Sequence, residues 1–153
     1  MTGATLHIPT LETERLTLRA PGREDFAAYE AFMLSPRSHL DDATPRKVWH
    51  LFATEFFGWC LEGAGHWVIE RKDGTAIGVT GISHPSYYPE PEMGWALYDG
   101  YEGRGYATEA ATAARDWARG RLASLVSYTH GGNARSIAVA ERLGAWRDET
   151  APL

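Results

Sequence analysis

Apolar and polar positions alternate in ERLTLRA, where Leu16 and Leu18 mark a short half-buried strand. The period then lengthens. Gly22 precedes Arg23-Glu24-Asp25, whose acids suit the positive end of a helix, and Phe26, Tyr29, Phe32 and Met33 follow at helical spacing. Ser35-Pro36 stops the run, because a residue before proline is pushed out of the helical region. Thr44 as N-cap and Pro45 at the first helical position open a second helix. Its apolar face is Val48, Leu51, Phe52, Phe56 and Trp59, with the polar residues between them facing water. Period two returns in HWVIER and AIGVTGI, joined through Lys72-Asp73-Gly74-Thr75 as a hairpin with an Asp-Gly turn.

The loop HPSYYPEPE leads to a fourth strand from about Glu92 to Tyr98. After DGYEGRGYA, Ala107, Ala110, Ala111, Ala114, Trp117 and Ala118 line one face of a third helix. A fifth strand is expected near Ala123 to Thr129. Asn133 then caps a last helix that runs through Leu143, with Gly144 as its C-terminal cap. Strand, two helices, three strands, helix, strand, helix is the order of a mixed α/β domain built on one sheet.

Composition narrows the class. A chain of 153 residues with 44% apolar and 23% charged residues is one globular domain with no dividing linker. Its net charge of −5 argues against nucleic acid and polybasic membrane contacts as partners. The single cysteine, Cys60, excludes an internal disulfide and a cysteine-rich zinc site. The six histidines have no HExxH-like spacing, so no metal site is expected. MTGATLHIPT lacks the charged start and apolar run of a signal peptide, and no apolar stretch approaches the ~20 residues that span a bilayer. The expectation is a soluble cytoplasmic domain.

Tyr101-Glu102-Gly103-Arg104-Gly105-Tyr106-Ala107-Thr108 carries the most chemical information, because it joins a strand to a helix. Gly103 and Gly105 allow a tight turn and a close approach to a ligand. The first helical turn adds unpaired N–H donors and the positive end of the dipole. A phosphate is the natural guest, and a turn that binds nothing is the bland reading. Two phosphate motifs are excluded. A P-loop needs Lys-Ser or Lys-Thr after its glycine, where Tyr106-Ala107 stands, and a Rossmann turn needs glycine or alanine at the position of Thr108.

GWALYDGYEGRGYATEA followed by NARSIAVAERLGA resembles the GNAT superfamily of N-acetyltransferases, in its ribosomal-protein acetyltransferase-like branch. The resemblance extends from LETERLTLR to LGAW. It implies a mostly antiparallel central sheet flanked by helices, and acetyl-CoA as cosubstrate. The family pattern, Gln or Arg, two residues, Gly, one residue, and Gly or Ala, falls on Glu102, Gly105 and Ala107. By resemblance the amides of Gly103, Arg104, Gly105, Tyr106, Ala107 and Thr108 cradle the pyrophosphate, and the backbone at Trp95 and Leu97 pairs with the pantetheine arm. Asn133 matches the asparagine that touches the cofactor. Glu102 departs from the pattern, and its carboxylate is expected to turn away from the phosphates. The Arg104 side chain is read either as a cation near them or as a solvated arginine.

Acetyl transfer needs an acceptor amine without its proton and a leaving thiolate that is stabilised. Glu92, opening the fourth strand, is the candidate base, with Glu90 as the weaker alternative. The tyrosine that many superfamily members place seven residues after the asparagine is replaced by Ala140. Ser136 is instead the candidate partner of the sulfur, its alternative being support of the helix cap. Direct transfer needs no enzyme nucleophile, and Cys60 is expected in the core.

Tyr87 and Tyr88 are expected at the acceptor pocket, His84 and His130 in polar loops, and the tryptophans mostly in the core. Asp41, Asp42, Glu90 and Glu92 would draw a cationic acceptor, either a small molecule or a peptide N-terminus. The family continues with two further strands where this sequence has length for one short segment near Ala145 to Thr150. The reading is a sheet shortened at its C-terminal end and a possible homodimer that covers the edge. A non-catalytic acyl-CoA-binding module on the same fold stays open as the alternative function.

Overall fold

In the computed structural model, which describes residues 5–151, the alternating and helical periods become one sheet covered on both faces. The first four residues of MTGATLHIPT and the last two of AWRDETAPL lie outside the described residues. The strands are β1 (Leu11–Glu12), β2 (Leu16–Arg19), β3 (His66–Arg71), β4 (Ala76–Ser83) and β5 (Glu92–Leu97). They pair antiparallel in the order β1-β2-β3-β4-β5. Helices α1 (Phe26–Met33) and α2 (Pro45–Leu61) lie between β2 and β3 in the chain, and α3 (Tyr106–Ala118) and α4 (Ala134–Arg142) follow β5. Among the described residues no helix is long and apolar enough to cross a membrane.

The local signals explain these limits. Lys47 N–H donates to Thr44 Oγ1 at the start of α2, and Ser136 N–H donates to Asn133 Oδ1 at the start of α4. Gly74 turns the β3–β4 hairpin at φ +88, and Gly144 ends α4 at φ +87. Before α1 the acids form a 3-10 turn, where Asp25 accepts from Gly22 N–H and from both Nη atoms of Arg19.

The fifth strand does not form as expected. Residues 123–129 make a single parallel bridge to β5, between Glu92 and Val126, through Met93 N–H to Val126 O (2.7 Å) and Val126 N–H to Pro91 O (3.0 Å). Beyond that point Trp95 and residues 127–129 line the walls of a cleft, so no ladder can close across it. The segment near Ala145 to Thr150 is no strand either: it turns at Asp148, whose carboxylate accepts from Thr150 N–H and Oγ1.

The two sheet faces have different jobs. Ile69 pairs with Gly78 and Glu70 with Ala76, which leaves Ile77 bulged and shifts the alternation of β4 at that point. Leu16, Leu18, Trp67, Ile69, Ile77 and Met93 pack under α3 and α4. Ala110, Ala111 and Ala114 are fully buried there, and their small size brings the helix close to the sheet. Tyr29, Val48 and Phe52 from α1 and α2 cover Val79 on the opposite face. His66, Ser83, Glu92 and Gly94 share that second face by register.

Two burial expectations, for Cys60 and Glu55, are corrected, and two of the six tryptophans lie outside the core. Cys60 is exposed, because it falls on the outer side of α2 beside buried Trp59. Trp146 is 85% exposed beyond the end of α4, and Trp49 is 37% exposed, its ring beneath the Arg23 guanidinium. Glu55, a polar residue expected to face water, is only 22% accessible and faces inward.

Candidate active site

The turn after β5 is built for close approach. Gly103 (φ +75) and Gly105 (φ +79) adopt conformations that side chains resist, and Gly105 passes directly into α3. Helical bonding begins with Glu109 N–H to Gly105 O, which leaves the amides of Tyr106, Ala107 and Thr108 free at the positive end of the helix. Arg15 holds this turn from outside. Its Nη1 donates to Arg104 O, its Nε to Glu109, and its guanidinium lies over the Tyr106 ring.

Glu102 lines the cleft beside this turn, with its carboxylate held by neighbours. Its carboxylate accepts from Gly100 N–H (2.9 Å) and pairs with Arg37 Nη2 at 2.6 Å. Arg37 also donates to Leu97 O, which ties the 3-10 turn at Pro36–Ser38 to the end of β5. The side chain of Arg104 is exposed outside the cleft, whereas Arg135 and Arg142 line it.

Strand register fixes the direction of the β5 peptide groups. Tyr98 N–H donates to Ile77 O, so Ala96 and Gly94 also face β4, while Met93, Trp95 and Leu97 face the other way. Met93 uses its N–H on Val126. The outward groups of Trp95 and the N–H of Leu97 meet the open cleft, and Asn133 and Ser136 line that cleft from α4.

One continuous cleft of about 1440 Å³ includes the glycine turn, β5, the start of α4 and the second sheet face. It exceeds the ~300–1,000 Å³ of a drug-sized pocket, so it has room for a large ligand and a second molecule. Glu92 stands within it. Burial pushes its carboxyl up to about 7, against an opposing hydrogen bond from Tyr128 N–H, and the nearby charge of Glu55 adds to the rise. Tyr87, Tyr88 and His84 line the cleft, and His130 lines its neighbouring recess beside Glu92. Asp41, Asp42 and Glu90 are absent from its walls.

Two inward groups escaped the sequence reading. Glu55 accepts from Tyr29 Oη at 2.8 Å, and burial raises its carboxyl to about 7. His66 is nearly buried; its Nε2 is 3.0 Å from Ser83 Oγ, and desolvation lowers it to about 4. The available signal for Glu55 was its spacing, three residues after Phe52 and four before Trp59 on the inward face of α2. His66 opens a buried strand and carries no comparable mark.

The model of the acetyltransferase (GNAT) domain family matches residues 15–145. An acetyltransferase from Agrobacterium tumefaciens str. C58 is 45% identical over 99% of this chain and 92% of its own, with a TM-score of 0.92. Two more distant structures share the fold. The ribosomal-protein-S5-alanine acetyltransferase from Vibrio fischeri has a TM-score of 0.66 at 20% identity, over 90% of this chain and 82% of its own. A ribosomal L7/L12 alpha-N-protein acetyltransferase in complex with coenzyme A has a TM-score of 0.69 at 18% identity, over 88% and 82%. The chain belongs to the GNAT acetyltransferase family. It is an acetyl-CoA-dependent acetyltransferase.

Proposed function

We propose that the chain moves the acetyl group of acetyl-CoA directly onto a primary amine, a peptide N-terminus or a small molecule, with both substrates in the cleft together. The amides from Gly103 to Thr108 hold the pyrophosphate, and Arg135 and Arg142 add positive charge. The pantetheine arm lies along β5 as an added strand, hydrogen-bonded to the outward carbonyl of Trp95 and the N–H of Leu97. Asn133 and Ser136 border it from α4.

Glu92 takes one proton from the bound ammonium and passes it to solvent. With its carboxyl at about 7, this step is uphill by about 1 kcal/mol for an α-amine of pKa near 8 and by about 5 kcal/mol for a lysine-like amine near 10.4. The chemistry therefore favours an α-amine-like acceptor. The nitrogen lone pair then forms the new C–N bond at the thioester carbon, and the N–H of Trp95 faces the developing oxyanion. The C–S bond breaks, and the thiolate, hydrogen-bonded by Ser136, takes up the second proton that the nitrogen loses.

The observation that carries this reading is that one cleft holds both the free amides of the glycine turn and the Glu92 carboxylate. The test is calorimetric titration with coenzyme A, together with turnover of acetyl-CoA against amines and N-terminal peptides. Saturable binding with amine-dependent thiol release is expected. Absence of binding by the folded chain, or thiol release that no amine accelerates, overturns the reading.

A further inference from the structure

The inner wall of the cleft carries more acid than one proton transfer requires. Glu55 and Glu92 both line it, and among the described residues neither has a lysine or arginine partner. Beside Glu55 stands His66, whose Nδ1 lies 3.6 Å from Glu55 Oε2 and has no hydrogen-bond partner. Two carboxylates withdrawn from water without a cation are unfavourable, so this wall is complementary to a positive charge that comes from outside.

Exposed apolar side chains also line the same cleft. Phe57 and Leu61 of α2 line it while 55% and 69% exposed, and Tyr87 lines it at 80% exposure. Exposed large apolar side chains gathered around a pocket mark a contact site for a ligand.

We propose that Glu55 selects the acceptor: it and Glu92 seat a primary ammonium whose attached apolar group lies toward the exposed apolar side chains that line the cleft, Leu61 and Tyr87 among them. The proposal rests on the reading of the cleft as the acetyl-transfer site and names the acceptor class of that site. Glu55 holds the ammonium in place until Glu92 takes its proton, and then accepts a hydrogen bond from the neutral amine. An acidic peptide is repelled by the pair of carboxylates. A polyhydroxylated amine or a polyamine leaves polar groups unpaired against these apolar side chains.

The test uses three probes on the coenzyme A-loaded protein at pH 8, followed by calorimetry or NMR titration. They are 2-phenylethylamine, its uncharged isostere 2-phenylethanol, and ethanolamine, which keeps the charge and lacks the apolar body. The expected result is at least tenfold tighter binding of 2-phenylethylamine than of either other probe. Glu55→Gln should remove most of the preference over 2-phenylethanol, and Glu55→Asp should restore part of it. Equal binding of the three probes, no saturable binding of 2-phenylethylamine, or an unchanged preference over 2-phenylethanol in a folded Glu55→Gln overturns the proposal. The wild-type comparison decides by itself if the variant does not fold. A separate titration with coenzyme A reports on the acetyl-transfer reading, so the two can fail independently.

Discussion

His66 Nδ1 stands 3.6 Å from Glu55 Oε2 without forming a hydrogen bond, although the two side chains are of opposite potential charge. Desolvation keeps the imidazole neutral down to about pH 4 and pushes the carboxyl up to about 7. The pair is therefore no salt bridge at neutral pH. When Glu55 is ionised, its donor is Tyr29 Oη, and His66 relates mainly to Ser83. This places a polar pair where α2 faces the sheet and leaves its charge balance open to a ligand.

Stability should record that imbalance. For Glu55, the unfolded carboxyl near 4.5 releases its proton before the folded one near 7, so stability falls as pH rises between these values. For His66 the sign is opposite. The unfolded imidazole near 6.5 takes up a proton that the folded one refuses until about 4, so stability falls as pH drops through that window. Glu55→Gln removes only the first effect and keeps an acceptor for Tyr29. The variant should gain in Tm relative to the wild type between pH 5 and pH 8.5, by about 2–4 °C or more at the upper end. A difference that is constant with pH would show that Glu55 ionises in the fold as it does in water.

Catalysis should depend on Glu92 with its own sign. A base must be ionised, so kcat/KM for acetyl transfer should rise with pH to a midpoint near 7 and then flatten. Glu92→Gln should lower the rate by about 10²- to 10⁴-fold at pH 6.5, and the gap should narrow above the acceptor's own pKa, where the amine loses its proton unaided. Steady-state profiles of both proteins test this. A variant as fast as wild type at every pH removes Glu92 from the role of base.

Local signals were legible in the sequence, and distant ones were not. Thr44 and Asn133 cap helices, and the hairpin at Gly74 forms, because each depends on neighbours a few residues away. The outward direction of Trp95 and Leu97 follows from an alternation that the strand pattern already contains. β1 has two residues, too few to show a period. Residues 123–129 look like a strand because their composition suits one, but pairing needs a partner along the whole length, and β5 supplies it only at Glu92. Arg37, Arg135 and Arg142 carry no mark in the sequence, and only the fold brings them to the cleft that holds the glycine turn. Glu55 shows the limit best: its position on the apolar face of α2 was readable, but the assumption that polar means outward concealed it.

The glycine turn should be the least tolerant point for coenzyme binding. At φ +79, Gly105→Ala introduces strain of about 1–2 kcal/mol and places its Cβ 3.4 Å from Arg15 Nη2. Gly105→Glu adds a carboxylate where the anion is held, and calorimetry should show at least a hundredfold loss of coenzyme A affinity with a cooperative thermal transition retained. Gly74 is the matched control, at φ +88 with nothing within 4 Å of an added Cβ and in a turn away from the cleft. Gly74→Asn should bind coenzyme A as the wild type does. Equal affinity of Gly105→Glu and Gly74→Asn would displace the phosphate from this turn.

Arg37 should support coenzyme binding through Glu102. The guanidinium sits 2.6 Å from the Glu102 carboxylate, which lines the cleft at the position where the family pattern has glutamine or arginine. Its charge partly cancels an anion that would otherwise repel the pyrophosphate. Arg37→Gln should therefore weaken coenzyme A about tenfold, which is about 1.4 kcal/mol, whereas Glu102→Gln alone should leave affinity equal or improved. In the double variant most of the loss should return, because the carboxylate that needed neutralising is gone. A double-mutant cycle measured by calorimetry isolates this coupling. If Arg37→Gln weakens binding equally with and without the Glu102 carboxylate, Arg37 acts through its bond to Leu97 O or on the phosphate itself, and the carboxylate is silent in binding.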